Sequence, residues 1–131
     1  MAEAHDGLAL RPGLAVIARA GMHLRLAGAG NALTAVLDAE PHEATHRPSV
    51  NVLFESAAQI LGRRALGVVL TGMGDDGLIG ARAIVEAGGQ VLTEAESSCV
   101  VYGMPRVISE AGLSTVEVPL EQMLAQIVSR L

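Results

Sequence analysis

Aromatic side chains are almost missing: one Tyr (Tyr102), one Phe (Phe54) and no Trp occur in 131 residues. Proteins that hold single-stranded nucleic acid stack bases on aromatics, so that class is disfavoured. Basic charge is also short, with nine Lys and Arg against fourteen Asp and Glu, a net of −5. Binding phosphate backbones requires a basic face, and no nucleic-acid partner is expected. A single cysteine, Cys99, excludes an internal disulfide and a cysteine-based zinc site. Apolar runs fall far short of the roughly 18 to 20 residues that span a bilayer, so no membrane insertion is expected. The opening residues, Met1 to Gly7, are acidic and polar, without the basic and apolar regions of a signal peptide. The expectation is a cytoplasmic chain, long enough for one domain but not comfortably for two.

What is present is aliphatic and rich in turns. Half the residues are hydrophobic, and there are fifteen glycines, a composition suited to parallel strands and tight turns. Pro12-Gly13 marks a turn before a short apolar strand over residues 14–18. Residues 23–26 and 32–37 alternate partially around Gly28-Ala29-Gly30-Asn31, which reads as a β-hairpin. Residues 38–47 form a polar loop. Val50, Leu53, Phe54, Ala57, Ala58 and Leu61 then recur at helical spacing, with Gly62 as the C-cap.

From there the pattern alternates. Strands are expected at 65–70, 90–93 and 114–118, with helices at about 76–87, from Met104-Pro105 to about 111, and at 119–131. The order αβαβαβα from residue 49 implies a three-layer α/β fold, a mostly parallel sheet with helices on both faces. The hairpin is its antiparallel element, expected at a sheet edge or end.

The most informative stretch is Val68-Val69-Leu70-Thr71-Gly72-Met73-Gly74-Asp75-Asp76-Gly77. A buried strand stops at a glycine-rich, doubly acidic turn, and a helix follows. Ligand and catalytic groups in open α/β sheets sit beyond the carboxyl ends of the strands. Two readings stay open. The turn is an ordinary strand-to-helix connection with an Asp as N-cap, or it supplies an orienting carboxylate, a carboxylate for a metal, or backbone N–H groups that hold an oxyanion. It is not a P-loop, because no Lys-Ser or Lys-Thr pair follows.

Other candidates are weaker. Ser97-Ser98-Cys99 follows a strand, but the nucleophile elbow Gly-x-Ser-x-Gly is absent. His42 and His46 lie four apart with Glu43 between them, in a loop rather than on a helix, so no metal site is assigned. His5 and His23 are isolated, and no cofactor motif is present.

Several segments together resemble the catalytic domain of the CheB-type chemotaxis protein-glutamate methylesterases. They are His46-Arg47-Pro48-Ser49-Val50 with Val52-Leu53-Phe54, then Leu70 to Gly77, then Ser98-Cys99-Val100-Val101-Tyr102-Gly103-Met104-Pro105-Arg106. The resemblance spans essentially the whole chain in order and corresponds to the C-terminal part of that domain, one partial domain over residues 1–131. It implies a parallel α/β sheet carrying a Ser-His-Asp triad, hydrolysis of glutamyl methyl esters and deamidation of glutamines on chemoreceptors, and commonly an N-terminal receiver domain. By the same resemblance Asp76 is the triad acid and the backbone N–H of Met73 serves the oxyanion hole. Asp75 stands where the family more often has Asn, Asn51 where it has Asp, and Arg19-Ala20-Gly21 where it has Pro-Gly-Asp.

The family's nucleophilic Ser and its His lie upstream of the matching segment, and neither has an equivalent in these residues. Aspartate only orients and stabilises the histidine in such a triad, so the isolated chain is expected to be inactive. Two rivals stand beside this reading: a non-catalytic signalling module on the same fold, and a hydrolase that rebuilds a triad from His46 with Cys99 or Ser98. An unpaired strand edge also points to a homodimer through residues 14–18 or 65–70.

Overall fold

The computed structural model describes residues 1–42 and 44–131. Along the chain these form β1 (Ala2–Glu3), β2 (Ala9–Leu10), β3 (Val16–Ile17), β4 (His23–Ala29), β5 (Ala32–Asp38) and α1 (Val50–Leu61). They continue with β6 (Leu66–Val69), α2 (Leu78–Glu86), β7 (Gln90–Glu94), α3 (Met104–Glu110), β8 (Val116–Val118) and α4 (Leu120–Val128).

The second half alternates as its periodicity dictates. β6, β7 and β8 pair in parallel in that order, with Val68 opposite Leu92 and Leu92 opposite Val116. Each crossover is a helix, as parallel neighbours require. The apolar stripe of α1 starts at Ser49, whose side chain accepts from the Val52 N–H, and stops at Gly62. Phe54, Ala58, Val69, Ala81, Ile84 and Ile108 form the centre of the main core.

The hairpin corrects one expectation. β4 and β5 pair antiparallel as anticipated, but they do not lie at an edge of the parallel sheet. With β2 they build a separate antiparallel sheet, in the order β2-β5-β4. Its buried face carries Leu24 and Ala35 and packs on Leu53 of α1. The physical reason is α1 itself, which packs against β4 on one side and α2 on the other. A half-buried sheet needs an apolar cover, and α1 offers two.

The strand expected at 14–18 shrinks to β3, which among the described residues pairs only with β1. β1 comes from the polar opening residues, where two residues are too few to alternate visibly.

α1 and α2 approach closely because Gly80 has no side chain. A Cβ there would lie 2.5 Å from the Phe54 Cβ and 3.1 Å from the Asn51 Cα. This proximity brings the two helix N-termini together and so builds the site. Among the described residues no helix is long and apolar enough to cross a membrane.

Candidate functional site

A helix begins with N–H groups that its own turns cannot satisfy. α1 and α2 satisfy theirs reciprocally. Oδ1 of Asp76 accepts from the Ser49 hydroxyl at 2.9 Å and from the Asn51 N–H at 3.0 Å, and Oδ2 accepts from the Val50 N–H at 2.8 Å. In return Oδ1 of Asn51 accepts from the N–H groups of Gly77 at 3.0 Å and Gly80 at 2.8 Å. The N-cap of α2 is Gly77, without a side-chain bond of its own. Asp76 therefore caps the preceding helix rather than the one it introduces, which corrects the reading of an Asp as the N-cap of its own helix.

The carboxylate is well placed for that work. It is only 9 % exposed, follows the carboxyl end of β6, and meets the positive end of the α1 dipole. A carboxylate offers about four acceptor positions. Three bonds are made among the described residues, two at Oδ1 and one at Oδ2, so Oδ2 keeps room for one more donor. Asp76 also lines a cleft with Asp75, His46, Thr45, Pro41 and Ile79. Asp75 is exposed beside it.

Sequence reasoning assigned His23 no role, yet it supports this cap. Its ring is fully buried. Nδ1 accepts from the Ser49 N–H at 3.2 Å, and Nε2 faces the Pro41 carbonyl at the same distance. Nδ1 must then be bare and Nε2 must donate, which fixes the tautomer. The imidazole ties β4 and the 38–47 loop to the start of α1.

The turn that follows β6 is stitched to residues 98–104. The Thr71 hydroxyl donates to the Val101 carbonyl and accepts from the Val101 N–H, while the Gly72 N–H donates to the Val101 carbonyl. The Gly72 carbonyl accepts from the N–H groups of Gly103 and Met104. Gly103 permits this closeness, since a Cβ there would lie 2.7 Å from the Gly72 oxygen. On this fixed turn Met73 is 80 % exposed, and among the described residues its N–H meets no acceptor. A rigid backbone N–H without a partner is what an oxyanion site requires.

Glu94 is a second residue that sequence reasoning missed, since the strand was expected to end at residue 93. It ends β7 and is 1 % exposed. Its carboxylate accepts from the Thr71 N–H at 2.8 Å and from the Ser98 hydroxyl at 2.8 Å. Ser98 also accepts from the Leu120 N–H. The Cys99 thiol lies against the Glu94 carbonyl, and burial first, then the Glu94 charge, push it above its ordinary value. Less thiolate forms at neutral pH, the reverse of an activated nucleophile. Ser98 and Cys99 are thus engaged with Glu94, whereas His46 lines the cleft with Asp76.

Close by, the Tyr102 hydroxyl donates to Glu117, and that bond with burial pushes Tyr102 up to about 12. The other candidate histidine, His42, meets Arg47 and Glu40. Glu43, between His42 and His46, lies outside the described residues.

Asp76→Ala tests the reciprocal cap. It removes three bonds to a charged acceptor and leaves the Ser49 hydroxyl and two N–H groups without their partner. Bonds to charged groups contribute about 1.5–3 kcal/mol each, less what water recovers, so the expected loss is about 3 kcal/mol. Asp76→Asn keeps one acceptor oxygen and should lose about half of that. Urea unfolding followed by circular dichroism reads both, and an unchanged midpoint for Asp76→Ala would contradict the cap.

The site can orient a proton carrier through Asp76 and hold an oxyanion at Met73. Comparison with known proteins puts this geometry in context. The family described as CheB methylesterase matches residues 1–127. A protein-glutamate methylesterase/protein-glutamine glutaminase of Myxococcus xanthus (strain DK1622) is 63 % identical over 123 residues, covering 94 % of this chain and 35 % of the relative. One from Oleidesulfovibrio alaskensis is 50 % identical over 121 residues, covering 92 % of this chain and 33 % of the relative. The crystal structure of the Thermotoga maritima CheB methylesterase catalytic domain superposes with a TM-score of 0.94 at 32 % identity, over 98 % of this chain and 68 % of that one. The chain spans about a third of the length of these curated relatives.

Proposed function

Because the chain belongs to the CheB methylesterase family, we propose that it supplies the acid and oxyanion portion of a protein-glutamate methylesterase and glutaminase active site. Asp76 orients a histidine through the open position on Oδ2. The Met73 N–H stabilises the tetrahedral oxyanion. The nucleophilic serine and the histidine come from polypeptide outside these 131 residues. The substrates are glutamyl methyl esters and glutamines of chemoreceptors, reached from the cytoplasm, and a receiver domain supplies the regulatory input.

One observation carries the reading. A buried carboxylate with one acceptor position left sits three residues after a rigid backbone N–H that has no partner in the described chain. The chemistry follows from the roles of such groups. A neutral histidine takes the serine proton during attack, and the imidazolium formed is stabilised by the aspartate that orients it. Charge developing on the carbonyl oxygen is met by a donor already in place.

The open edge of the parallel sheet is consistent with this division. Among the described residues β6 pairs with β7 alone, and an unpaired edge accepts another strand. In the proposal that strand comes from the same outside polypeptide. When the 131-residue chain stands alone, a second copy is expected to take its place. Light scattering over a concentration series should then read a dimer, and a strict monomer at micromolar concentration would show that the edge is covered otherwise.

The proposal is tested with a hybrid in which this chain replaces the matching third of the Myxococcus xanthus relative. The hybrid should release methanol from methylated receptor membranes within about tenfold of the parent, a margin that allows for small misplacement at the new junctions. A hybrid that folds and binds membranes but releases none would overturn it in favour of a non-catalytic module.

A further inference from the structure

We propose that an arginine-lined strip at the end of the sheet opposite Asp76 docks an extended acidic peptide segment of a partner protein. The chain is acidic overall, yet all nine of its cations are arginines and four of them gather here. Arg63, Arg64 and Arg130 line one cleft of about 290 Å³ with Ala65, Leu66 and Gln90. Arg64 continues into a second cleft of about 500 Å³, lined with Arg11, Leu10, Pro12 and Leu33. Among the described residues no carboxylate lines either cleft. The ion pairs among the described residues engage Arg19, Arg25 and Arg106, and none of these four.

Two of the arginines have an ordinary explanation. Arg63 and Arg64 follow α1, where cations offset the negative end of the helix. That account does not extend to Arg130 or Arg11. The Arg130 guanidinium is held by neutral groups. Nε donates to Gln90 Oε1 at 2.7 Å, and Nη1 donates to the Gln126 carbonyl and to Gln126 Oε1, both at 2.9 Å. These amides orient the group without neutralising it, and Nη2 keeps its donors for a ligand.

The shape selects the class of ligand. Two open clefts joined at Arg64 exceed what a single small anion fills, while an extended chain with carboxylates at intervals can reach successive arginines. Arginine suits this because its planar fork matches a carboxylate. Leu10, Leu33 and Leu66 between the cations accept aliphatic side chains. A local basic strip on an acidic protein also steers an acidic partner to this face and away from the rest.

The test is fluorescence anisotropy with the 131-residue chain and a labelled ten-residue peptide of alternating Glu and Leu. The expected result is saturable binding that weakens as salt rises. Arg64→Gln and Arg130→Gln should each weaken it about tenfold, and Arg64→Glu should abolish it. Arg82→Gln makes the same change of charge on the exposed side of α2, outside both clefts, and should leave binding unchanged. Circular dichroism confirms that each variant is folded. Three outcomes would overturn the proposal: no binding at submillimolar peptide, equal binding of a Lys-Leu peptide, or equal weakening by Arg82→Gln. Tighter binding of inorganic pyrophosphate than of the peptide at the same arginines would also overturn it, in favour of a small-anion site.

Discussion

Incubated with methylated chemoreceptor membranes, the 131-residue chain is expected to release methanol no faster than the membranes alone. The expectation rests on what each group of the site can do. Asp76 makes three bonds to the start of α1 and keeps one acceptor position at Oδ2. A carboxylate there can orient an imidazole but cannot attack an ester. Ser98, a candidate nucleophile in the sequence, is spent on Glu94 and the Leu120 N–H, and the Ser49 and Thr71 hydroxyls on Asp76 and Val101. Cys99 is shifted away from thiolate. His46 is exposed and has neither nucleophile beside it. Loss of the nucleophile or base of such a triad costs roughly 10⁴ to 10⁶ in rate, so turnover should sit below detection. Turnover near that of a complete enzyme would mean that local residues rebuild the triad.

The parts of this molecule that follow local rules were legible in its sequence. α1 reads from its apolar spacing and its Ser49 and Gly62 ends. The alternation of β6, α2, β7, α3, β8 and α4 reads from runs and glycine stops. The site is different because it depends on approach between elements. Asp76 and Ser49 are twenty-seven residues apart, and nothing in the turn says that its carboxylate caps another helix. The signal that could have pointed there is the pair Asn51 and Gly80, a polar residue on the first turn of one helix and a residue without a side chain on the next. Glu94 was hidden because a charged residue after a strand reads as loop, whereas its burial is made possible by the Thr71 N–H and the Ser98 hydroxyl. His23 was hidden because an imidazole on a strand carries no pattern, and only the fold brings Pro41 and Ser49 to its two nitrogens. The Met73 N–H is a backbone group, so no side chain announces it, and the role proposed for it came from the resemblance alone. The hairpin was visible, but half-buried alternation does not say which partner covers the apolar face.

Asp76 is proposed to serve the chemistry as well as the cap, and those two roles separate in the hybrid with the Myxococcus xanthus relative. Asp76→Asn there keeps an acceptor for α1 but replaces the carboxylate that a histidine needs for its tautomer and its charge. Such a change in a triad lowers kcat by about 10⁴ while the geometry survives. Asp75→Asn, at the exposed neighbour, should change the rate less than about threefold, as befits a side chain outside the reacting groups. The decisive measurement is therefore kcat for methanol release from methylated receptor membranes by the hybrid and these two variants, each shown to be folded by its unfolding midpoint. A loss of about 10⁴ for Asp76→Asn with Asp75→Asn near the parent is expected. A folded Asp76→Asn hybrid that turns over as fast as the parent would contradict it, and would leave Asp76 as a helix cap only.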